Sequence, residues 1–302
     1  MIRIGSRGSQ LALWQATHIA AALRALGHEV SIEVIRTTGD RMQNVAFASV
    51  GAKGMFTKEI EEALLAQTID LAVHSLKDLP TELAEPFALA AIPKRADARD
   101  VLVSERYTGF DALPAGAVVG TSSLRRQAQL RARRPDLEYV EFRGNVDTRL
   151  AKLGQGKADA IILAAAGLDR LEKTSSIRER FAPEVLCPAP GQGALAIECR
   201  AGDAAMQAAL QPLEDAPTRM AITAERCCLA ALGGGCLVPI GAYCHSAGSE
   251  LSLRAVVASV DGRQMIVAER RHTDATTLGE ELAQQLLHQG AGAILGLEET
   301  RA

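Results

Sequence analysis

The residue types best suited to chemistry occur in the sequence GTSSLRRQAQL, in which three hydroxyl residues precede a helical pattern. Thr121, Ser122 and Ser123 stand where a predicted strand gives way to this helix, and the backbone N–H groups of a helix start favour an anion. Arg125 and Arg126 fall in the first helical turn, where the helix dipole disfavours each cation by about 0.3 to 1 kcal/mol. A bound carboxylate or phosphate would compensate, because guanidinium groups form forked hydrogen bonds with such anions. The alternative interpretation is a solvated basic helix face.

A second basic cluster, FRGNVDTRL, repeats this arrangement after the next predicted strand. Arg143 precedes Asn145, a predicted N-cap, and Arg149 lies one turn inside the helix. Ligands of open parallel sheets bind beyond the carboxyl ends of the strands, so both clusters could line one cleft. From Thr121 to Lys157 there are nine basic and four acidic residues in a chain of net charge −3, which favours a local anion site.

Asp78 stands in the sequence HSLKDLP, directly after a predicted strand at Ile69–Val73. A carboxylate in an arginine-lined cleft could stabilise a cationic intermediate or transfer a proton. Taken alone, an Asp before Leu-Pro is better explained as a turn former. Arg7, after the first predicted strand, and Arg170 could add positive charge to the same cleft, although an isolated Arg is more often a surface residue.

Cys236 lies in the sequence GGGCLVP, a glycine-rich turn just beyond a predicted helix. An accessible thiol in such a turn can act as a nucleophile or as an attachment point. Disulfides are not expected, because the chain is large and shows no export signal. Cys and His show no paired zinc pattern, so no metal site is predicted. Roles as small buried hydrophobic residues are expected for the other cysteines, Cys187, Cys199, Cys227, Cys228 and Cys244.

The composition limits the classes of function that the chain could have. Of its 302 residues, 48% are hydrophobic and 23% are charged, values typical of globular proteins. Aromatic residues make up only 3% and the net charge is −3, which argues against a nucleic-acid binder that stacks bases. No apolar run approaches the roughly 20 residues of a membrane span, and the N-terminus lacks a secretory pattern. We therefore expect a cytoplasmic protein with no membrane partner and no nucleic-acid partner.

The elements that must position these residues alternate between strand and helix, which predicts an α/β fold. A strand at Ile2–Gly5, a helix that ends near Leu26 and a strand at Val30–Ile35 form the first such unit. Residues 37–56 lack periodicity and are rich in glycine, as an active-site lid would be. Disorder is the alternative for this segment.

The C-terminal third changes character, because a β-hairpin and an amphipathic helix replace the α/β alternation. The hairpin is predicted from strands at Leu251–Val260 and Gln264–Glu269, and the helix at Leu278–His288 would cover one face. Segments that contain several prolines separate the predicted domains of the chain. The predicted domains are a discontinuous α/β domain at 1–93 and 194–211, a second α/β domain at 99–187 and an α+β domain at 216–302.

Eight segments of the chain resemble motifs of the porphobilinogen deaminase family and occur in the order typical of that family. They are SRGSQLALWQ, GAKGMFTKE, AVHSLKDLPTEL, GTSSLRRQAQL, FRGNVDTRL, AAAGLDRL, PAPGQGALAIECR and GGGCLVPIGAY. Together they span nearly the whole chain. The resemblance therefore implies a tetrapyrrole-pathway enzyme, of the kind that serves porphyrin and heme biosynthesis.

The resemblance also implies a fold, a cofactor and a set of site residues. The fold would be two periplasmic-binding-protein-like (type II) α/β domains around a cleft plus a small α+β C-terminal domain. Cys236 would carry one covalent dipyrromethane cofactor through a thioether. The other cofactor-binding residues would be Lys77, Thr121, Ser122, Ser123, Arg125, Arg126 and Asn145. The substrate-binding residues would be Arg7, Gln15, Ser75, Arg143, Arg149, Arg170 and Gln192, with Lys53 and Phe56 in the lid.

The implied activity is that of a transferase acting on porphobilinogen. Four molecules would lose ammonia and be joined head to tail onto the dipyrromethane primer, and hydrolysis would release linear hydroxymethylbilane. Asp78 would bind pyrrole N–H groups and offset the charge of the azafulvene cation that forms when ammonia leaves. A monomer is expected. The alternative is a non-catalytic two-domain carboxylate-binding protein, which would have no need of Cys236 in a glycine-rich turn.

Overall fold

The chain forms two compact units. In this computed structural model they comprise residues 1–96 with 193–219, called unit 1, and residues 97–192 with 220–302, called unit 2. None of the helices in the described part of the chain is long and apolar enough to cross a membrane. The described residues are 1–37, 57–234 and 238–297.

Thirteen strands and nine α-helices are found in the described ranges. In chain order the strands are β1 (Ile2–Ser6), β2 (Val30–Val34), β3 (Leu71–Ser75), β4 (Phe87–Ala91), β5 (Asp100–Val103), β6 (Val118–Gly120), β7 (Glu138–Val140), β8 (Ala160–Ala164), β9 (Ile177–Arg180), β10 (Leu195–Arg200), β11 (Ile240–Ala247), β12 (Glu250–Ala258) and β13 (Met265–His272). The α-helices are α1 (Gln10–Ala25), α2 (Lys58–Leu65), α3 (Leu124–Arg133), α4 (Val146–Gly154), α5 (Ala165–Arg170), α6 (Ala204–Leu210), α7 (Ala216–Ala231), α8 (Ala275–Leu286) and α9 (Gly292–Leu295).

Unit 1 is built on a five-stranded mixed sheet in the order β2-β1-β3-β10-β4. β1 pairs in parallel with β2 and β3, whereas β10 runs antiparallel to both β3 and β4. Leu71 of β3 belongs to one apolar cluster with Ile19 of α1, and the next residue, Ala72, belongs to another cluster with Leu64 of α2. Because successive side chains of a strand point to opposite faces, α1 and α2 cover opposite faces of this sheet.

Unit 2 contains a second five-stranded sheet, in the order β7-β6-β8-β5-β9. β6 is parallel to β7 and β8, and β5 is antiparallel to β8 and β9. The two sheets therefore share one arrangement, in which the fourth strand in order is reversed relative to the third and fifth strands. Helices α3 and α4 follow the carboxyl ends of the neighbouring strands β6 and β7, as the sequence predicted for the two basic clusters.

The C-terminal part of unit 2 is a three-stranded antiparallel sheet, β11-β12-β13. Leu253 and Val257 of β12 share an apolar core with Leu278 and Leu282 of α8. The predicted hairpin is confirmed by the pairing of β12 with β13. β11 was not predicted, because its sequence IGAYCHSA is rich in small and polar residues and poor in the β-branched residues typical of strands.

The predicted fold class is confirmed as α/β, with two sheet-based α/β parts and a small C-terminal α+β part. The final predicted helix, Leu278–His288, is found at an earlier position, because α8 begins at Ala275 and ends at Leu286, where a π-helical turn at Leu287–Ala291 follows it. Gly290 in that turn has a left-handed φ of 98°. Residues 38–56 of the predicted lid lie outside the described residues.

Candidate functional site

Asp78 closes a single 3₁₀ turn, Leu76–Asp78, that directly follows β3. Its exposed side chain lies at a pocket of about 90 Å³ in unit 1. Four residues predicted from the sequence, Arg7, Gln15, Ser75 and Asp78, are therefore brought together. The other residues that line this pocket, called the Asp78 pocket below, are Ser9, Leu11, Ala12, Thr57, Val73 and His74.

Helix α1 supplies one wall of the Asp78 pocket. The helix begins after Ser9, whose hydroxyl accepts a hydrogen bond from the N–H of Ala12 at 3.3 Å. Gln15 is on the buried side of α1, and its Nε2 donates to Oγ of Ser75 at 2.9 Å. A buried amide therefore fixes the hydroxyl at the end of β3. Lys77 belongs to the same 3₁₀ turn as Asp78 and is half-buried.

In unit 2, the three hydroxyl residues before α3 hold the loop in place through backbone hydrogen bonds. Oγ of Ser123, the N-cap, accepts from the N–H of Arg126 at 3.4 Å, and Oγ1 of Thr121 accepts from the N–H of Ser123 at 3.3 Å. Oγ of Ser122 accepts from the N–H of Phe142 at 3.1 Å. This last bond joins the loop after β6 to the segment after β7, so the two basic clusters are neighbours.

Arg125 and Arg126 point into the interior of unit 2, where both bind Asp100. Asp100 is fully buried, and the two arginines are about 95% buried. Nη1 of Arg125 donates to Oδ2 of Asp100 at 2.7 Å, and Nε and Nη2 of Arg126 donate to Oδ1 at 2.9 and 2.6 Å. The sequence predicted that a bound anion would balance these charges. The structure corrects that reasoning, because a carboxylate of the chain itself is their partner.

Asp100 stays ionised although its side chain is fully buried. Burial alone would raise the pKa of this carboxyl group, but Arg125 and Arg126 outweigh that effect and hold the pKa well below its usual range. Gln192, a predicted substrate-binding residue, is also fully buried and belongs to this cluster. Its Nε2 donates to Oδ1 of Asp100 at 2.8 Å and to the carbonyl of Ala98 at 2.7 Å.

The second basic cluster is more open. Asn145 caps α4, as predicted, with Oδ1 accepting from the N–H and the hydroxyl of Thr148, each at 2.8 Å. Arg143 is half-buried, and its Nε donates to Oε1 of the exposed Glu141 at 2.7 Å. Arg149 is half-buried in the first turns of α4. These groups are more accessible than Arg125 and Arg126 and are better placed to meet a ligand.

Arg170 stands at the C-terminal end of the short helix α5 and is half-buried. Burial lowers the pKa of its guanidinium to about 10, and the nearby Asp169 opposes that effect. The residue therefore remains a cation at neutral pH. A partly desolvated guanidinium of this kind forms stronger hydrogen bonds with an anion than one in bulk water.

The carboxylates that organise the site were missed by reasoning from the sequence. Asp100 is the first residue of β5, and its only signal in the sequence was an acidic residue next to the apolar run Val101–Val103. Glu225 is fully buried in α7, where Oε2 accepts from the N–H of Gly191 at 2.7 Å and Oε1 from that of Cys244 at 2.8 Å. Both contacts are long-range, and sequence spacing gives no information about them.

Two family models match the chain. Residues 2–208 match the model described as "Porphobilinogen deaminase, dipyromethane cofactor binding domain", and residues 219–288 match "Porphobilinogen deaminase, C-terminal domain". The chain belongs to the porphobilinogen deaminase family. Its relatives include the porphobilinogen deaminase of Syntrophobacter fumaroxidans, 48% identical over 299 residues (98% of this chain and 97% of the relative), and that of a Roseiflexus species, 51% identical over 295 residues (97% of each chain). The resemblance inferred from the eight motifs is confirmed.

Solved structures similar to this member of the porphobilinogen deaminase family include bacterial binding proteins. A periplasmic substrate-binding protein of an ABC transporter from Coxiella burnetii has a TM-score of 0.45 and 13% identity, and the match covers 72% of this chain and 94% of that protein. A nutrient binding protein from Burkholderia cenocepacia, bound to methionine, also has a TM-score of 0.45 and 13% identity, with 72% and 93% covered.

The donor groups of unit 2 fit the dipyrromethane cofactor named by the first porphobilinogen deaminase model. Substrate-derived pyrrole rings carry acetate and propionate groups, and carboxylates need cationic and N–H or O–H donors. The half-buried hydroxyl residues Ser122 and Ser123 before α3, together with the half-buried Arg143 and Arg149, supply donors of both kinds. Cys236, Lys53 and Phe56 lie outside the described residues.

The described cysteines of this porphobilinogen deaminase family member are poor nucleophiles. Burial raises the pKa of Cys187 and of Cys228 to about 12 and that of Cys199 to about 11, so these thiols stay protonated at neutral pH. Cys244 is buried and Cys227 is half-buried. The predicted role as small buried residues is confirmed for Cys187, Cys199, Cys228 and Cys244. No group of three or more His, Cys, Asp or Glu side chains in the described ranges could hold a metal ion.

Two described glycines, Gly233 and Gly234, follow the end of α7. Gly233, just after α7, has a left-handed φ of 64°, which favours glycine. A Cβ on Gly234 would come within 2.6 Å of a methyl carbon of Leu229 and 2.7 Å of one of Ile240. Gly233 is therefore favoured by its backbone conformation, and Gly234 is required by packing.

Proposed function

We propose that this chain is a porphobilinogen deaminase that joins four porphobilinogen molecules head to tail on a covalent dipyrromethane and releases linear hydroxymethylbilane. The observation that carries this proposal is the match of both family models, cofactor domain and C-terminal domain, within one chain. The non-catalytic carboxylate-binding alternative is not favoured, because a simple binder has no need of a cofactor-binding domain.

Cys236 is assigned to the thioether that holds the cofactor. The high pKa values of the buried thiols support this assignment, because thiolates and not thiols are nucleophilic. When bound, the dipyrromethane would supply a terminal pyrrole carbon as the nucleophile for chain growth. The residues assigned to its carboxylates are Lys77, Thr121, Ser122, Ser123, Asn145, Arg125 and Arg126, the last two as a positive charge fixed by Asp100.

Asp78 is assigned to the chemical step. Its carboxylate would accept hydrogen bonds from pyrrole N–H groups and oppose the positive charge that develops on porphobilinogen as ammonia leaves. Two features of the Asp78 pocket support this role. The side chain is exposed at the pocket, and the backbone that carries it directly follows a strand whose last hydroxyl is fixed by Gln15. A preorganised charge of this kind stabilises a transition state without reorganisation.

Substrate carboxylates are assigned to the remaining cations and donors. Arg143, Arg149 and Arg170 are half-buried, so part of each side chain is accessible, which supports their assignment. Lys53 and Phe56 remain assigned to a lid. Arg7, Gln15 and Ser75 are assigned to substrate from their place in the Asp78 pocket. Gln192 is reassigned to a supporting role, because its amide binds Asp100 in the interior.

The domain organisation, oligomeric state and location of the protein are also proposals. We assign three domains, at 1–93 with 194–211, at 99–187 and at 216–302, and the three sheets support this division because each lies within one of them. The protein is proposed to act as a cytoplasmic monomer. Sedimentation of the purified protein and fractionation of the source cells would test these two points.

The proposed function is tested by incubating the purified protein with porphobilinogen. Ammonia release, intact-protein mass and the released product are followed together. We expect an initial mass greater than that of the 302-residue chain, a ladder of porphobilinogen additions and a linear tetrapyrrole product. Binding of porphobilinogen without ammonia release would contradict the proposal.

A further inference from the structure

His74 and Glu198 form a hydrogen-bonded pair between neighbouring antiparallel strands of unit 1. Nε2 of His74 is 2.9 Å from Oε2 of Glu198, and the Glu198 side chain is fully buried. Oε1 of Glu198 has no hydrogen-bond partner in the described residues. His74 also lines the Asp78 pocket. One nitrogen of an imidazole in the pocket wall is thus held by a carboxylate that has no contact with water.

This arrangement determines how the imidazole can act. A buried carboxylate is costly unless it receives a hydrogen bond, so its charge favours a proton on Nε2 of His74. Nδ1 is then the basic nitrogen of the ring. A histidine whose far nitrogen donates to a buried carboxylate is the arrangement used for general bases, because the carboxylate orients the ring and stabilises the imidazolium.

We propose that His74, oriented by Glu198, is the general base of the Asp78 pocket. This inference rests on the proposed function. Joining two pyrrole rings through a methylene group breaks a C–H bond at the attacking ring carbon, whose electron pair returns to the ring while the proton goes to Nδ1 of His74. The amine of porphobilinogen enters as an ammonium group and leaves as ammonia. That ammonia then takes the proton from His74, so each cycle restores the neutral imidazole without a further reactant.

The charges near His74 suit this role. Glu198 on β10 contacts His74 but is not part of the described pocket lining, whose charged side chains are Arg7, after β1, and Asp78, after β3. Helices α1 and α2 present only uncharged residues there, such as Gln15 and the N-cap Thr57. Asp78 is assigned to the developing cation, which leaves His74 to accept the proton.

The test uses cofactor-loaded wild type, His74→Gln, Glu198→Gln and a matched control, His18→Gln, which alters an exposed histidine of α1. The cofactor is assembled beforehand from porphobilinogen that carries hydrogen or deuterium at its free ring carbon, because the terminal cofactor ring supplies the attacking carbon. Single addition of porphobilinogen is then followed by quenched-flow intact mass from pH 6 to 9. We expect His74→Gln to add porphobilinogen at least about 10²-fold more slowly than wild type. Its rate should no longer fall toward low pH, and its hydrogen/deuterium isotope effect should be larger than that of wild type. Glu198→Gln should fall between it and wild type, and His18→Gln should match wild type.

A measurement on unaltered protein covers the case in which the variants do not fold. Nitrogen-15 NMR of labelled histidine in the apo and loaded wild type should show an unprotonated Nδ1 and a protonated Nε2 for His74 at pH 8. A protonated Nδ1 would overturn the proposal, as would a slow His74→Gln whose pH profile and isotope effect match wild type. If wild type itself adds no porphobilinogen, the proposed function fails instead, and the tautomer measurement still tests the arrangement of His74 and Glu198.

Discussion

Arg126 donates from both Nε and Nη2 to the same oxygen of Asp100, at 2.9 and 2.6 Å, inside unit 2. The pair connects the first turn of α3 with the reversed strand β5. Arg125 binds the other oxygen of Asp100, so one carboxylate fixes two successive side chains of α3. The start of the helix is therefore organised before any cofactor binds.

Asp100→Asn should destabilise the fold strongly. The substitution keeps the shape but leaves two buried guanidinium groups without a charged partner, and breaking a buried pair in this way typically costs about 3–5 kcal/mol. Chemical denaturation of the apoprotein at pH 7 would measure the change. The matched control is Asp111→Asn, which removes the exposed partner of Arg133 at the other end of α3 and should leave stability near wild type. Equal stabilities of the two variants would show that the buried cluster contributes little.

The stabilising effect of Asp100 should depend on pH in a specific direction. Its pKa is lower in the folded protein than the ordinary value of 3.8, so the folded state binds this proton less readily than the unfolded chain. The contribution is fully present above that ordinary value and is lost as pH falls through the lower folded pKa. Denaturation curves should therefore show a constant difference between wild type and Asp100→Asn from pH 7 to 5, and a narrowing below about pH 4. If the difference in the free energy of unfolding narrows between pH 7 and 5 instead, a group other than Asp100 is responsible for it.

The sequence predicted those parts of the molecule that depend on local pattern. The starts of α3 and α4, including the N-cap Asn145, follow from hydroxyl and amide residues placed between apolar strands. The direction in which Arg125 and Arg126 point could not be predicted, because their partner Asp100 lies about 25 residues away and meets them only through sheet pairing. The same limit applies to His74 and Glu198, whose bond spans 124 positions. Long-range partners are fixed by topology, which sequence spacing does not encode.

Cys236→Ser should remove the covalent cofactor while leaving a folded chain. Wild-type protein is expected to exceed the mass of its sequence by one dipyrromethane, and the variant should match its sequence mass. Cys227→Ser, which alters a half-buried thiol of α7, is the control and should keep the added mass. Peptide mapping that places the added mass on Cys227 or on a buried cysteine would contradict the assignment.

The arginines of unit 2 should divide between cofactor assembly and chain growth. Arg126→Leu removes a buried partner of Asp100 and should yield mostly apoprotein, because the start of α3 loses its organisation. Arg149→Leu alters a half-buried residue of α4 and should load the cofactor but stall after early additions. Arg133→Leu, in the last turn of α3, is the control and should behave as wild type. Native mass spectra after addition of porphobilinogen would separate these outcomes, and full turnover by both Arg126→Leu and Arg149→Leu would refute the division.

Removal of the Asp78 charge should block the chemistry and spare the fold, because the residue sits in an exposed 3₁₀ turn and not in a core. Asp78→Asn keeps the shape and loses the charge, and losing a preorganised electrostatic partner typically lowers the rate about 10²- to 10³-fold. Asp78→Glu keeps the charge but displaces it, and it should retain more activity than Asp78→Asn. Each variant would be checked for cofactor by mass and for folding by thermal melting, and then assayed for single addition of porphobilinogen. Near-normal addition by Asp78→Asn would remove Asp78 from the mechanism and leave it as a turn former before Leu79 and Pro80.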